Sequence, residues 1–376
     1  MAQGLRAPKN LNIDFSPSVR QYEVWKNLQP ECPLCGGEVV QQQNGTDRNG
    51  NPTYTSVCSK CGNNNIPQII SMDSHICTPM GFKQLKDICE DDIISNPING
   101  IGQRIIKLHP IESHPFYQIT FIDGTSVECS EGHLWNVFEV NGSENKEYST
   151  LSTLELYHSF TDTSIGHKEF AIPLTKPIKF DSALSSESLP VNPHTFGIWL
   201  QDSVSEPKDM SNPRNNLLTL CYSGFIFNND WYYTAFIPTS YKYSSVEART
   251  QIIKGILDNG KETYSAGHIN YTTYSKTLAE DIAWIIRSLG GLVSIHTVEC
   301  SDKNFYVLNI FIDAFGKRIV DIVPVGVKAS RCITVEDPSG LYVIDNFTVT
   351  HNSYLGSCWL ISSCMRWPDL RMVVGR

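Results

Sequence analysis

The chain has 376 residues, 41% of them apolar and 18% charged. That length gives room for two or three domains of roughly 150 residues, and the composition excludes a disordered polymer. No apolar run reaches the roughly 18 residues of a membrane span, and the opening MAQGLRAPKN has no apolar signal core, so a cytoplasmic protein without membrane contact is expected. The net charge of −9 is unevenly spread: residues 1–70 and 353–376 carry nine Lys/Arg and six Asp/Glu, which leaves 21 bases against 33 acids, a net of −12, on 71–352. A surface that grips a long DNA track is normally basic.

Residues 1–70 begin polar and Pro-containing, then give Cys32-Pro-Leu-Cys35-Gly-Gly and, 22 residues later, Cys58-Ser-Lys-Cys61-Gly. The run QQQNGTDRNGNPTYT between them is rich in turn formers. Two CxxC turns present four thiolates, which close a tetrahedral zinc site over 32–61. Such a site is structural, because no coordination position stays open. From 71 to about 165 short apolar runs such as FYQITFI break at turn signals such as Asp123-Gly124, a strand pattern. From about 185 to 300 the period becomes helical, at Phe196–Leu200, 246–258 and 275–289. Strand-like alternation returns over 305–350, and 353–376 reads as a helix followed by a strand. This β, then helical, then β order predicts one domain inserted into another. Cys77, Cys89 and Cys129 are expected to be core residues.

Three separated segments carry chemistry. The first runs from Ser71 to Ile88, the second from Asp123 through Ser130 and His133 to Trp135, and the third from Arg331-Cys332 through Thr350-His351-Asn352-Ser353. Breaking a peptide bond without water needs a nucleophile, a proton shuttle and a stabilised oxyanion. Ser130 and His133, three apart on a tight turn, can face one scissile amide, and an imidazole of near-neutral pKa can protonate the leaving nitrogen. The Asn352 side-chain amide can attack its own carbonyl and cut the chain after 352, with help from His351, while the Ser353 hydroxyl can accept an acyl group.

In order and spacing these segments resemble the splicing blocks of inteins, Hint-fold domains that excise themselves and join their flanks. The resemblance covers both ends of 71–352 and implies Ser71 as the first residue. Trp135, Cys332 and Thr350 together resemble the third mechanistic class of inteins, in which the block cysteine attacks the upstream junction directly. A thiol is the better nucleophile near neutral pH, so Cys332 is preferred as first attacker and Ser71 is the alternative. The first residue of the excised segment then shifts by a residue or two.

The central helices, His194 to Ser203 and Gln251 to Gly260, resemble the paired LAGLIDADG helices of homing endonucleases. That resemblance implies an acid at each helix end holding magnesium beside double-stranded DNA. Asp202 matches the first metal position, but Gly260 stands at the second, and Asp258 matches an earlier, structural acid. A decayed endonuclease is therefore expected, with magnesium relevant only if it is active. Ser353–Arg376 resembles the helix and strand that follow the phosphate loop of large terminase subunits, phage ATPases. No Gly-rich loop or Lys stands in the run CGNNNIPQII just before residue 71, so a working ATPase is not expected and the segment reads as an ATPase fragment or the product of a rearranged gene.

The fold class expected is thus mixed: an all-β, horseshoe-shaped Hint domain from 71–165 and 301–352, interrupted by an α/β domain at 185–300 and preceded by a zinc ribbon. Splicing needs no cofactor and acts on the chain itself. The alternatives are an active DNA endonuclease, and a zinc-ribbon nucleic-acid-binding phage protein with an inert insert.

Overall fold

The computed structural model describes residues 39–46, 52–58 and 69–351, apart from 110, 141–146, 162–167, 182, 203–234, 259–262, 266–267, 300–303, 312–313 and 338. The chain divides into two compact units, Met1–Pro67 with Leu355–Arg376, and Gln68–Tyr354. Of the first unit the described part is an antiparallel hairpin, Val39–Thr46 with Pro52–Cys58. Much of the polar run read as turn formers is therefore strand, because Val39-Val40 and Tyr54 to Val57 supply the β-preferring residues that pair across it. Cys32, Cys35 and Cys61, and the side chain of Cys58, lie outside the described residues.

The second unit is mostly β-sheet. Its seven-stranded sheet is organised by the long strand Lys317–Arg331, which pairs along its length with Glu112–Phe121. The same long strand also pairs with Phe170–Ile172 and with Ile70–Ser71. Ile70–Ser71 is in turn paired with Ser126–Ser130, and Ser126–Ser130 with Glu112–Phe121. A second sheet orders Thr348–His351, Leu341–Ile344, His75–Thr78 and Gly81–Gln84. One apolar core unites these strands, with Ile76, Ile105, Ile119, Trp135, Val137 and Ile172 all fully buried. Helix α1, Thr153–Thr161, covers one end, and Leu156 enters the core.

The central domain contributes helices α2 (Pro193–Asp202), α3 (Val246–Leu257) and α4 (Lys276–Ser288). Ser245 and Ser275 cap α3 and α4 by accepting the Ala248 and Leu278 N–H groups, each at 3.1 Å. Such caps contribute typically about 1 kcal/mol. Helices α2 and α3 cross at Gly197 and Gly255: a Cβ at Gly197 would lie 2.2 Å from the Ile252 carbonyl oxygen, and one at Gly255 would lie 2.1 Å from that of His194. Only glycine permits that approach.

Strands 263–265, 268–273, 305–311 and 292–298 form this domain's sheet. The sequence boundary at 300/301 thus moves. Phe305–Phe311, whose alternation looked like the returning outer β region, pairs with His268–Thr273 and Leu292–Val298 instead. Alternation alone reports that a strand is half-buried and does not say which sheet it joins.

Candidate functional site

The upstream segment Ile69–Ser71 is held between two strands. Ser130 donates its N–H to the Ile69 carbonyl at 3.0 Å, and its Oγ accepts the Ile69 N–H at 3.4 Å. Ile70 stands opposite Cys129 on one side and Arg331 on the other, and Ser71 stands opposite Ser330. Cys332 follows Arg331 directly and is half-buried. The strand register therefore brings Ser130 to the Ile69 backbone from one side and Arg331, the residue before Cys332, to Ile70 from the other. The Ser71 hydroxyl is buried and accepts the Asp73 N–H at 3.3 Å.

The turn after Ser130 also reaches the strand Thr348–His351. His133 donates its N–H to the Ser130 carbonyl at 3.1 Å, and its Nε2 lies 2.5 Å from Thr350 Oγ1. Tyr342 pairs with Thr350, and Leu341 with His351, so the last described residues are fixed by a hairpin. Trp135 is fully buried and packs edge-on to His133, ring centroids 5.1 Å apart. Burial pushes the His133 imidazole down to about 3, and neighbouring His351 pushes in the same direction. The near-neutral value expected from sequence does not survive this setting, so His133 is neutral at rest and must take a proton before it can give one. Burial lowers His351 as well. Among the described residues, His133 Nδ1 and His351 Nδ1 have no hydrogen-bond partner.

Thr153, the first residue of α1, holds this turn in place. Its N–H donates to the His133 carbonyl at 2.9 Å. Its hydroxyl donates to that same carbonyl at 3.2 Å, accepts the Trp135 indole N–H at 3.1 Å and lies 3.2 Å from Cys129 Sγ. Thr153 belongs to no motif of its own, although Ser152 and Glu155 form a capping box that marks the helix start: Ser152 N–H donates to Glu155 Oε2 at 2.6 Å, and Glu155 N–H to Ser152 Oγ at 3.2 Å.

A second missed pair is His75 with Asp345. The carboxylate accepts the His75 N–H at 3.1 Å and lies 3.0 Å from its Nδ1. Burial raises the Asp345 carboxyl, against the pull of His75. A third is Asp123, read only as a turn residue, which is buried against Lys317 and Arg287. Cys77 and Cys129 are buried as expected, whereas Cys89 is exposed. Burial pushes the Cys129 thiol up to about 12, unlike that of a reactive cysteine.

Asn352 and Ser353 lie outside the described residues, as does the side chain of Asp202. Asp258 caps α3, and its Oδ2 is 2.5 Å from His194 Nε2. No group of three or more His, Cys, Asp or Glu side chains that could hold a metal occurs among the described residues. No helix among them is long and apolar enough to cross a membrane.

No protein-family model matches the chain. It is similar to the replicative DNA helicase DnaB of Mycobacterium intracellulare, 22% identical over 358 residues, a match covering 80% of this chain. The chain spans 61% of the length of that curated relative. Among solved structures it is similar to the Msm DnaB1 intein splicing domain bound with zinc: 10% identity, 75% of this chain and 99% of that one, TM-score 0.29. It is also similar to a DnaB intein from Synechocystis sp., at 11% identity, 76% and 98% coverage and TM-score 0.29. A third is a substituted gp41-1 intein, at 13% identity, 76% and 98% coverage and TM-score 0.28. These neighbours are inteins.

Proposed function

We propose that the chain is an intein in its host, with residues of about 71–352 excising themselves and joining the flanks. One observation carries this reading: the Ser130–His133 turn is bonded to Ile69 at one end and to Thr350 at the other, although those residues are far apart in sequence. A loop that touches both candidate junctions is what a coupled double cleavage requires. The horseshoe Hint arrangement is the fold we assign to the outer β region, supported by the strand Lys317–Arg331, which pairs with Ile70–Ser71 near the upstream junction and bonds Thr348 of the downstream strand through the Lys317 side chain.

In this reading the Cys332 thiolate adds to the carbonyl upstream of the insert. His133 takes up a proton and returns it to the leaving amide nitrogen, which breaks the C–N bond and leaves a thioester. The acyl group passes to Ser353 Oγ and the thiol is restored. The side-chain nitrogen of Asn352 then attacks its own carbonyl, closes a succinimide and releases the amine of Ser353. The ester moves to that amine, forming a peptide bond. Thr350 orients His133, and Trp135 walls the site against water, which would otherwise hydrolyse the thioester. If Ser71 attacks instead, the first intermediate is an ester at its own hydroxyl.

The central domain is read as a LAGLIDADG endonuclease that has lost its metal site. The glycine crossing of α2 and α3 supports the helix pair, and the Asp258–His194 bond supports a structural role for that acid. The net of −12 on 71–352 argues against a DNA grip, so magnesium and double-stranded DNA belong only to an active form. Zinc in 32–61 and the ATPase fragment at 353–376 rest on the sequence alone, as does a cytoplasmic location. The helicase match is to a protein of another name than the terminase subunit resembled by 353–376.

The test is intact-mass analysis of the full chain beside Cys332→Ala, Ser71→Ala and Asn352→Ala. Loss of the joined product in Cys332→Ala but not in Ser71→Ala supports the direct attack. The reverse pattern replaces it with attack by Ser71.

A further inference from the structure

A buried ion cluster ties the central domain to the roots of the strands that carry the candidate junctions. Asp123 is 3% exposed, in the turn between Glu112–Phe121 and Ser126–Ser130. Its Oδ2 lies 3.4 Å from Lys317 Nζ and 3.4 Å from Arg287 Nε. Lys317 is also buried, donates to Thr348 Oγ1 at 3.0 Å and lies 4.6 Å from the centroid of the Phe121 ring. Arg287 comes from the last turn of α4 and donates to the Val293 carbonyl at 2.9 Å. Beside it, Trp284 of α4 stacks on Phe180 and meets Phe347 edge-on, at centroid distances of 5.6 and 5.2 Å. Arg249 of α3 is fully buried and donates to the Ile178 carbonyl and to Ser288 Oγ. The seam between the central domain and the β region is therefore packed and specifically bonded.

Each strand rooted at this cluster leads to a candidate residue. Ser126–Ser130 leads to His133, Lys317–Arg331 to Cys332, and Thr348–His351 to Asn352. The intervening lengths differ. Thr348 stands four residues before Asn352, whereas Lys317 stands fifteen before Cys332. A shift at the cluster thus reaches the downstream junction with the least chain to absorb it. Removing one member of a buried charge cluster leaves its partners uncompensated, so the strands would move rather than tolerate the loss.

We infer, on the reading that this chain splices, that Arg287 of the central domain is a positioning residue for the Asn352 step. It holds the Thr348–His351 strand through Asp123 and Lys317. The central domain is then part of the splicing machinery rather than a passenger within it.

The test follows cleavage at the two junctions separately, by intact mass, in the full-length chain and its Arg287→Gln, Arg287→Lys, Asp123→Asn and Arg287→Gln/Asp123→Asn variants. Arg287→Gln is expected to slow downstream cleavage about tenfold and to leave upstream cleavage within about twofold, an effect of the size a small misplacement produces. Arg287→Lys restores most of the downstream rate. The double variant is no slower than Asp123→Asn alone, because both act through one contact. Wild-type rates in Arg287→Gln, or equal slowing at both junctions, overturn the inference. If Arg287→Gln does not fold, Asp123→Asn decides: a deficit confined to the downstream junction supports the inference, and none overturns it. A wild-type chain that cleaves at neither junction refutes the splicing reading itself and is told apart by that control.

Discussion

The β region and the central domain bury polar groups to different ends. In the central domain α4 turns Leu278, Ala279, Ile282, Ala283, Ile285 and Ile286 inward, the buried Asp281 accepts from Lys242 Nζ and the Ile237 N–H, the buried Arg249 donates to Ser288 Oγ and the Ile178 carbonyl, and the candidate acid Asp258 stays at the rim with His194. In the β region Ser71, Ser130, His133, Thr153 and Thr350 are all buried, and His133 and Thr153 share one hydrogen-bonded turn. Packing and charge pairing explain the first arrangement. The second desolvates polar groups at a cost that packing does not explain, which supports the proposal that the chemistry is done there.

Substitutions sharpen that contrast when ranked by effect. His133→Ala should lower upstream cleavage by about 10²–10⁴-fold, the range for a lost proton-transfer group, with the chain still folded by circular dichroism. A His133→Ala chain that cleaves normally would move the chemistry elsewhere. Gly255→Val should do the opposite. It drives a side chain into the His194 carbonyl, so thermal denaturation should show a loss of about 1–3 kcal/mol or more. An unchanged Tm would mean that α2 and α3 do not cross there.

Thr153→Val keeps the volume and removes the hydroxyl shared by Trp135, His133 and Cys129. Upstream cleavage should fall about tenfold, and Thr153→Ser should recover it, because the hydroxyl rather than the methyl positions the turn. Equal rates for Val and Ser variants would reduce Thr153 to a helix start.

The pH effect is spread over several units. His133 falls from 6.5 in the unfolded chain to about 3 in the fold. Between those values the unfolded chain binds the extra proton, so stability falls as pH drops through the window, by up to about 1.4 kcal/mol per unit from this group. Denaturant titration of His133→Gln should show a shallower acid slope than wild type, and parallel slopes would remove His133 as the cause. Smallest of all, Asp258→Asn should change stability by about 0.5 kcal/mol or less, since its bond to His194 is half-exposed.

Much of this was legible in the sequence. The three helices announced themselves by period, at Phe196–Leu200, 246–258 and 275–289. Ser130, His133, Trp135, Cys332 and Thr350 share motifs with recognisable spacing; in the fold Ser130 bonds Ile69, His133 meets Thr350 and Trp135, and Cys332 follows the residue paired with Ile70. What stayed hidden depends on pairing partners far along the chain. Phe305–Phe311 has the same alternation whichever sheet it joins, so its place in the central sheet was not readable. Asp123, Lys317 and Arg287 are each ordinary alone, and their cluster exists only because α4 packs against the turn after Phe121. The low pKa of His133 likewise follows from burial, which no spacing reports.

The most direct measurement is the intact mass of the freshly expressed wild-type chain, followed over time. A free segment of about residues 71–352 together with a product joining 1–70 to 353–376 is the predicted result. A chain that persists at 42.2 kDa, with neither fragment nor joined product, would contradict the splicing reading.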